Sequence, residues 1–313
     1  MAAAETVNPK KTDAPCAVFG IGWVLHDSIL QVPAYPVENT KAEALRALDQ
    51  VGGPVARALS VISHLGFTTA ISAVVGNDES GLRCRQALHR RGVLTDRIQV
   101  ISGGHTRHSQ VWVSSQNASR TIVYVPGSLP GLGNLPDLLM VAEHCQILHL
   151  DGRELQAAVP VARRMRGLGK TVVLDAGGWK PNLESLLQYT DVLVVSLTTL
   201  KEAATGDLAG RARKLRDEHG LRSVVLTGGK KGAWVLEGDE LYGVPACSVR
   251  PVDTNGAGDA FAGGLIYGLL KGWPMLKSAR FASGVAALKC DHFGDFFPRV
   301  EDVLELLAKG DQQ

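Results

Sequence analysis

Apolar residues follow two rhythms along this chain. Ala17-Val18-Phe19-Gly20-Ile21-Gly22 is an unbroken apolar run ending in glycines, and 69–75, 147–150, 171–175, 192–195 and 223–227 are runs of the same kind. Short apolar runs without alternation are typical of strands buried on both faces. Between them lie segments with helical spacing. Ala58, Leu59, Ile62 and Leu65 follow Gly52-Gly53-Pro54 and are closed by Gly66, while 81–91 is stopped by Gly92, and 155–168, 183–189 and 208–219 follow later. Strands alternating with helices predict βαβ units and an α/β fold with a doubly wound, mostly parallel sheet. Two stretches break the rhythm: 28–35, and the pair 109–115 and 120–125 around Asn117-Ala118. They alternate polar with apolar residues and have no helix to cover them. They predict a small β-sheet lid, with segments near 27–38 and 105–126, on one α/β domain covering 16–308. Residues 1–15 read as a short polar tail.

Composition narrows the picture modestly. With 313 residues and 45% hydrophobic positions the chain can bury a sizeable core. Thirty-three basic residues against 31 acidic ones leave a net charge of +2, so nothing demands nucleic acid or a membrane as partner. No apolar run approaches the ~20 residues that span a bilayer. The five cysteines are scattered, odd in number and without a Cys-x-x-Cys pair, which argues against a disulfide framework or zinc site and fits a cytoplasmic location. Lid strands can pair between subunits, which suggests a homodimer.

The chemistry concentrates in Asp253-Thr254-Asn255-Gly256-Ala257-Gly258-Asp259-Ala260-Phe261. Extended chain with Pro245 precedes it. Phe261, Leu265, Gly268 and Leu269 recur at helical spacing after it, and Lys271-Gly272-Trp273-Pro274 supplies a stop. Gly256, Ala257 and Gly258 therefore sit where a helix begins, and its unpaired N–H groups and dipole attract anions. Asp259 on the first turn would repel such an anion unless it had a task, such as taking the proton of an attacking hydroxyl. Phosphoryl transfer to an alcohol fits; an Asp/Gly-rich turn before a buried helix is the plainer alternative.

These nine residues resemble the Asp-Thr-x-Gly-Ala-Gly-Asp-x-Phe motif of the PfkB, or ribokinase-like, carbohydrate kinases. Gly52-Gly53 with its alanine-rich helix, Val75-Gly76-Asn77-Asp78 with Gly81, Arg91-Gly92-Val93, and Thr227-Gly228-Gly229-Lys230-Lys231-Gly232 are similar to further motifs of that family. The resemblance implies ATP as phosphoryl donor with Mg2+, possible use of K+, and a sugar or sugar derivative as acceptor. It implies nucleotide contacts at Thr227, Gly229, Gly232, Asp253, Thr254, Gly256 and Gly258, with Asp253 near a monovalent cation. Asp259 would be the base, beside an anion hole at Gly256, Ala257 and Gly258. Gly52, Gly53, Asp27 and Asp151 would meet the acceptor. Other readings stay open: a turn residue for Asp27, a helix cap for Asp151, a plain hairpin for 227–232. Ala286-Ala287-Leu288 and 294–298 would border the adenine and the cation.

Two departures matter. Arg57 stands where the family often has asparagine. A cation there calls for an anion, either an acidic or phosphorylated sugar or an internal acid. Ser196-Leu197-Thr198-Thr199 stands where the family often has Asn-x-x-Glu, with Glu202 displaced. A nicotinamide dehydrogenase is disfavoured because Leu25 occupies the place of the third fingerprint glycine. A nucleoside or vitamin kinase of the same fold, or a nucleotide-binding module without turnover, remain as alternatives.

Overall fold

The computed structural model describes residues 16–201 and 207–310; the expected N-terminal tail and Glu202 lie outside them. In chain order the elements are β1 (Val18–Ile21), β2 (Leu25–Val32), β3 (Arg46–Gly52), α1 (Pro54–His64), β4 (Thr69–Gly76), α2 (Glu79–Arg90), β5 (Val93–Ile101), β6 (His108–Ser114) and β7 (Arg120–Val125). Then come α3 (Leu135–His144), β8 (Ile147–Leu150), α4 (Leu155–Gly167), β9 (Thr171–Gly177), α5 (Glu184–Leu187), β10 (Val192–Ser196), α6 (Leu197–Lys201) and α7 (Leu208–His219). The chain closes with β11 (Ser223–Thr227), β12 (Ala233–Glu237), β13 (Glu240–Val244), α8 (Ala257–Leu270), α9 (Met275–Cys290) and α10 (Val300–Gly310).

A nine-stranded sheet runs in the order β13-β12-β11-β10-β9-β8-β1-β4-β5, parallel except for the β11–β12 and β12–β13 pairs. Its inner strands, among them β1, β4 and β8, are buried on both faces because each face lies under helices. One cluster collects Phe19, Leu148, Leu174 and Val195 under α3 and α4, and another collects Val18, Ile71, Val194 and Val225 under α1, α8 and α9. The α/β expectation holds. α8 is apolar on nearly all sides and sits buried against α1 and α9.

A separate four-stranded sheet has the order β3-β2-β6-β7. β6 alternates as the sequence foretold, while β7 is exposed along its whole length as the outer edge. β3 was not foreseen: Arg46-Ala47-Leu48-Asp49-Gln50-Val51-Gly52 carries a single β-branched residue, yet pairs antiparallel with β2 along its length. The turn reading of Asp27 is overturned, since it sits inside β2, paired with Gln50 on β3 and Ser109 on β6.

The cysteine expectation is also corrected. Cys16 and Cys145 are joined as a disulfide with Cα atoms 5.2 Å apart. Their separation of 129 residues conceals that β1 and β8 are parallel neighbours, so the residues just before each strand meet at one sheet edge. No helix among the described residues is long and apolar enough to cross a membrane.

Candidate active site

The polar residues gather where the parallel strands end. α8 opens with Gly256 in the left-handed conformation, φ 77°, followed by Ala257, Gly258 and Asp259 in its first turn. The first N–H groups of a helix have no carbonyl within the helix, and the approach to Gly258 is open, with no atom within 4 Å of where a Cβ would stand. Gly256 is different. A Cβ there would lie 2.6 Å from Arg57 Nη1. The Arg57 guanidinium thus fills the space that a side chain at this residue would need.

Arg57, on α1 and 5% exposed, is the centre of a carboxylate cage. Its Nη2 donates to Asp27 Oδ2 at 2.5 Å, its Nη1 lies 3.6 Å from Asp259 Oδ2, and its Nε lies 3.6 Å from Asp295 Oδ1. Asp295 also pairs with Arg91 at 2.9 Å, and Asp27 accepts from the Ser109 hydroxyl. Burial alone would lower the guanidinium's pKa, but Asp295, Asp27 and Asp259 together raise it, so the cation is fixed. Of the two anions that Arg57 could meet, the structure supplies the internal one three times over.

The other acceptor candidates are positioned by close packing. A Cβ on Gly52 would stand 2.5 Å from Asp27 Oδ1, and Gly53, φ 110°, caps α1 with the Trp23 carbonyl where a side chain would point. Their missing side chains make room for the protein's own atoms on that side. Asp151 follows β8 and accepts from the N–H groups of Trp23 and Arg153 at 3.0 Å each. Trp23 is covered by Arg153 and Arg107, whose guanidinium carbons lie 3.6 and 4.3 Å from its ring centre.

Burial raises the pKa of Asp259, and Arg57 opposes that rise. One further acid was missed. Asp175 lies in β9 near its C-terminal end, and burial followed by the charge of Asp259 pushes its carboxyl up to about 7. It could have been found, because it terminates an apolar run just as Asp151 does. A carboxyl raised when folded stabilises the fold below its ordinary 3.8 and loses that contribution as pH rises towards about 7, at roughly 1.4 kcal/mol per unit. Asp175→Asn is therefore expected to match the parent in urea unfolding near the acid end of that window and to exceed it at neutral pH. An equal difference at both ends would remove the burial argument.

On the nucleotide side, Thr227 ends β11, and Gly229 and Gly232 lie in a tight connection to antiparallel β12, closed by Gly228 N–H to Gly232 O at 2.7 Å. The hairpin geometry is present, and it opens at the strand edge that bears Asp151 and Asp175. At the end of β10 the Ser196 hydroxyl lies 2.8 Å from that of Thr198 and 2.9 Å from that of Thr199, replacing the family's Asn-x-x-Glu with three hydroxyls. Asp253 is fully buried, with the Lys289 ammonium 2.9 Å from its carbonyl oxygen and 3.4 Å from Oδ2. Gly294 also donates to Asp253, so the 294–298 segment faces this cage and Arg57. The Thr254 hydroxyl donates to the Ala118 carbonyl at 2.8 Å, and its N–H reaches the same oxygen at 3.3 Å. Ala118 is the turn between β6 and β7, so the helix-mouth loop is fastened to the small sheet. A separate cavity of about 750 Å³, lined by Lys170, Arg222 and Trp273, opens where the strands begin and shares no residue with the carboxylate cage or the mouth of α8.

A model of the pfkB family carbohydrate kinases matches residues 24–301. Mouse ketohexokinase is 28% identical over 282 residues, covering 86% of this chain and 94% of that protein. A nucleoside kinase of Methanothermobacter thermautotrophicus is 25% identical over 281 residues, covering 86% of this chain and 88% of the other. The structure of Arabidopsis thaliana ribokinase complexed with ribose and ATP superposes with a TM-score of 0.80 at 24% identity, covering 94% of this chain and 99% of that one.

Proposed function

This chain belongs to the pfkB family of carbohydrate kinases, and on that premise we propose that it transfers the terminal phosphoryl group of ATP to a hydroxyl of a sugar or sugar-like polyol. One observation carries the reading. Asp259 stands on the first turn of a helix whose mouth is open at Gly258, with its carboxylate 3.6 Å from a buried guanidinium. A partly accessible acid at an anion-attracting helix end suits proton abstraction from an attacking hydroxyl.

In this scheme the phosphates lie along Thr227, Gly229 and Gly232 and reach the N–H groups of Ala257 and Gly258. Magnesium bound with ATP would supply neutralising charge at the phosphates. The hydroxyls of Ser196, Thr198 and Thr199 suit its water shell, because this ion retains several waters. Asp151 and the partly shared Asp27 orient acceptor hydroxyls as hydrogen-bond acceptors. Asp259 takes the proton as the oxygen attacks phosphorus, and catalysis is otherwise positioning. The small sheet acts as lid to one domain spanning 16–308. Its outer strand β7, with Val123 and Val125 exposed, provides an edge for a second copy in a homodimer.

Arg57 no longer argues for an anionic acceptor, since three carboxylates already compensate it. The relative named as a nucleoside kinase keeps a nucleoside acceptor as a second reading. The test is ADP release from Mg-ATP across a panel of pentoses, hexoses, nucleosides, sugar acids and sugar phosphates. Acceptor-dependent ADP is expected with a neutral polyol. Release with no panel member, despite bound nucleotide, would favour the module without turnover; release confined to sugar acids or phosphates would restore the anionic acceptor.

A further inference from the structure

The resemblance to this family places a monovalent cation beside Asp253, yet the residues present do not fit one. Lys289, next to last in α9, directs its ammonium at that place, donating to the Asp253 carbonyl at 2.9 Å and standing 3.4 Å from Oδ2. Both side chains are shut from solvent, at 3% and 0% exposed. The carboxylate is otherwise committed. Oδ1 accepts from the Asn255 N–H at 2.7 Å and Oδ2 from the Gly294 N–H at 3.0 Å. A dehydrated alkali cation is held by a shell of oxygens that replaces its water. Here two of the available oxygens face an ammonium, and a second buried cation beside it would meet unscreened repulsion. We propose that Lys289 is a built-in substitute for that ion, so that this kinase orders its phosphate-binding loop without potassium.

The substitution makes chemical sense. An ammonium is a compact point charge on a flexible stem with three donors, close to a bare alkali ion in charge and size. Removing it would strand a buried carboxylate, which is why the pair must be kept or exchanged whole. Burial pulls the Lys289 ammonium down and Asp253 pushes it back up, so the charge depends on the pairing. The same corner is tied by backbone: Val252 and Asp253 N–H groups donate to the Cys290 carbonyl at 2.7 and 3.1 Å. α9 thereby holds the start of the Asp253–Gly256 loop from both sides, and that loop sets the mouth of α8.

The proposal rests on the kinase reading for what the loop does, but its first test needs no turnover. Mg-ADP affinity and unfolding temperature of the full chain are measured in potassium chloride and in choline chloride at equal ionic strength. Both are expected to be the same in the two salts. Lys289→Met is expected to bind Mg-ADP at least about tenfold more weakly in choline, the scale of one charged hydrogen bond, and to recover in potassium or ammonium chloride. Lys289→Gln keeps a donor without charge and gives the same comparison if the Met variant does not fold. Nucleotide affinity of the parent that rises several-fold with potassium, or variants that bind as tightly as the parent in choline, would overturn the assignment. Turnover separates the two ideas. Potassium-stimulated turnover sinks the Lys289 assignment alone, whereas salt-indifferent nucleotide binding with no acceptor-dependent turnover supports Lys289 and counts against the kinase.

Discussion

Asp259→Asn is expected to lower kcat by about 10²–10⁴-fold, the usual contribution of a positioned base, with little change in the KM for ATP and no loss of stability. The amide keeps the size of the side chain but cannot take the proton. Stability should hold because burial raises the Asp259 pKa, so the ionised form is the costly one in the folded state. The acid must nevertheless be ionised to act. Turnover of the parent is therefore expected to fall, as pH drops, at a value above the ordinary carboxylate range, and the variant should lack that limb. The groups facing Asp259 set the midpoint: Arg57 from α1 and Arg120 from β7 lower it, while Asp295 from the chain after α9, Asp27 from β2 and Asp175 from β9 oppose ionisation. Stopped-time assays across pH on both proteins decide the matter; a variant retaining full turnover would end the assignment.

The largest structural effect is expected at Arg57. Arg57→Ala should destabilise the protein by about 3–5 kcal/mol near neutral pH, because it leaves buried carboxylates without their partner. Asp27, Asp259 and Asp295 all approach the guanidinium, and burial raises the pKa of both Asp27 and Asp259 even with the cation present. Without it those two would hold protons to higher pH still, so the loss should shrink as the solution is acidified and they become neutral. Urea unfolding near pH 7 and near pH 5 measures the difference. A loss that is the same at both, or below about 1 kcal/mol, the scale of an exposed pair, would show that the cage is not what holds these elements together.

Local signals carried much of the sequence-level reading. The apolar runs of β1, β8, β10 and β11 announced a covered parallel sheet, and alternation in β6 announced the second one. Glycines framing Asp259 announced the helix mouth. What stayed hidden depends on partners distant along the chain. Asp295 joins the site only because the chain after α9 returns to α1 and β3, where Arg57 lies 3.6 Å from its carboxylate and Gln50, 245 residues earlier, accepts from its N–H. Lys289 carries no signal of its own in the sequence and gains its place only where α9 sets it against Asp253. β3 has too few β-branched residues to declare itself and becomes a strand by pairing with β2. At Arg57 charge logic called for an anion but could not choose between ligand and protein, since that choice depends on where three remote carboxylates end up.

The bonds from Thr254 to Ala118 join the hairpin that the proposed reaction assigns to the acceptor with the loop that it assigns to the nucleotide. Any swing of that hairpin to admit an acceptor must either stretch those bonds or carry the loop along. Filling one compartment is therefore expected to change how firmly the other retains its occupant, with the effect equal in both directions by thermodynamic reciprocity. Under the proposed reaction, nucleotide and acceptor are expected to bind interdependently.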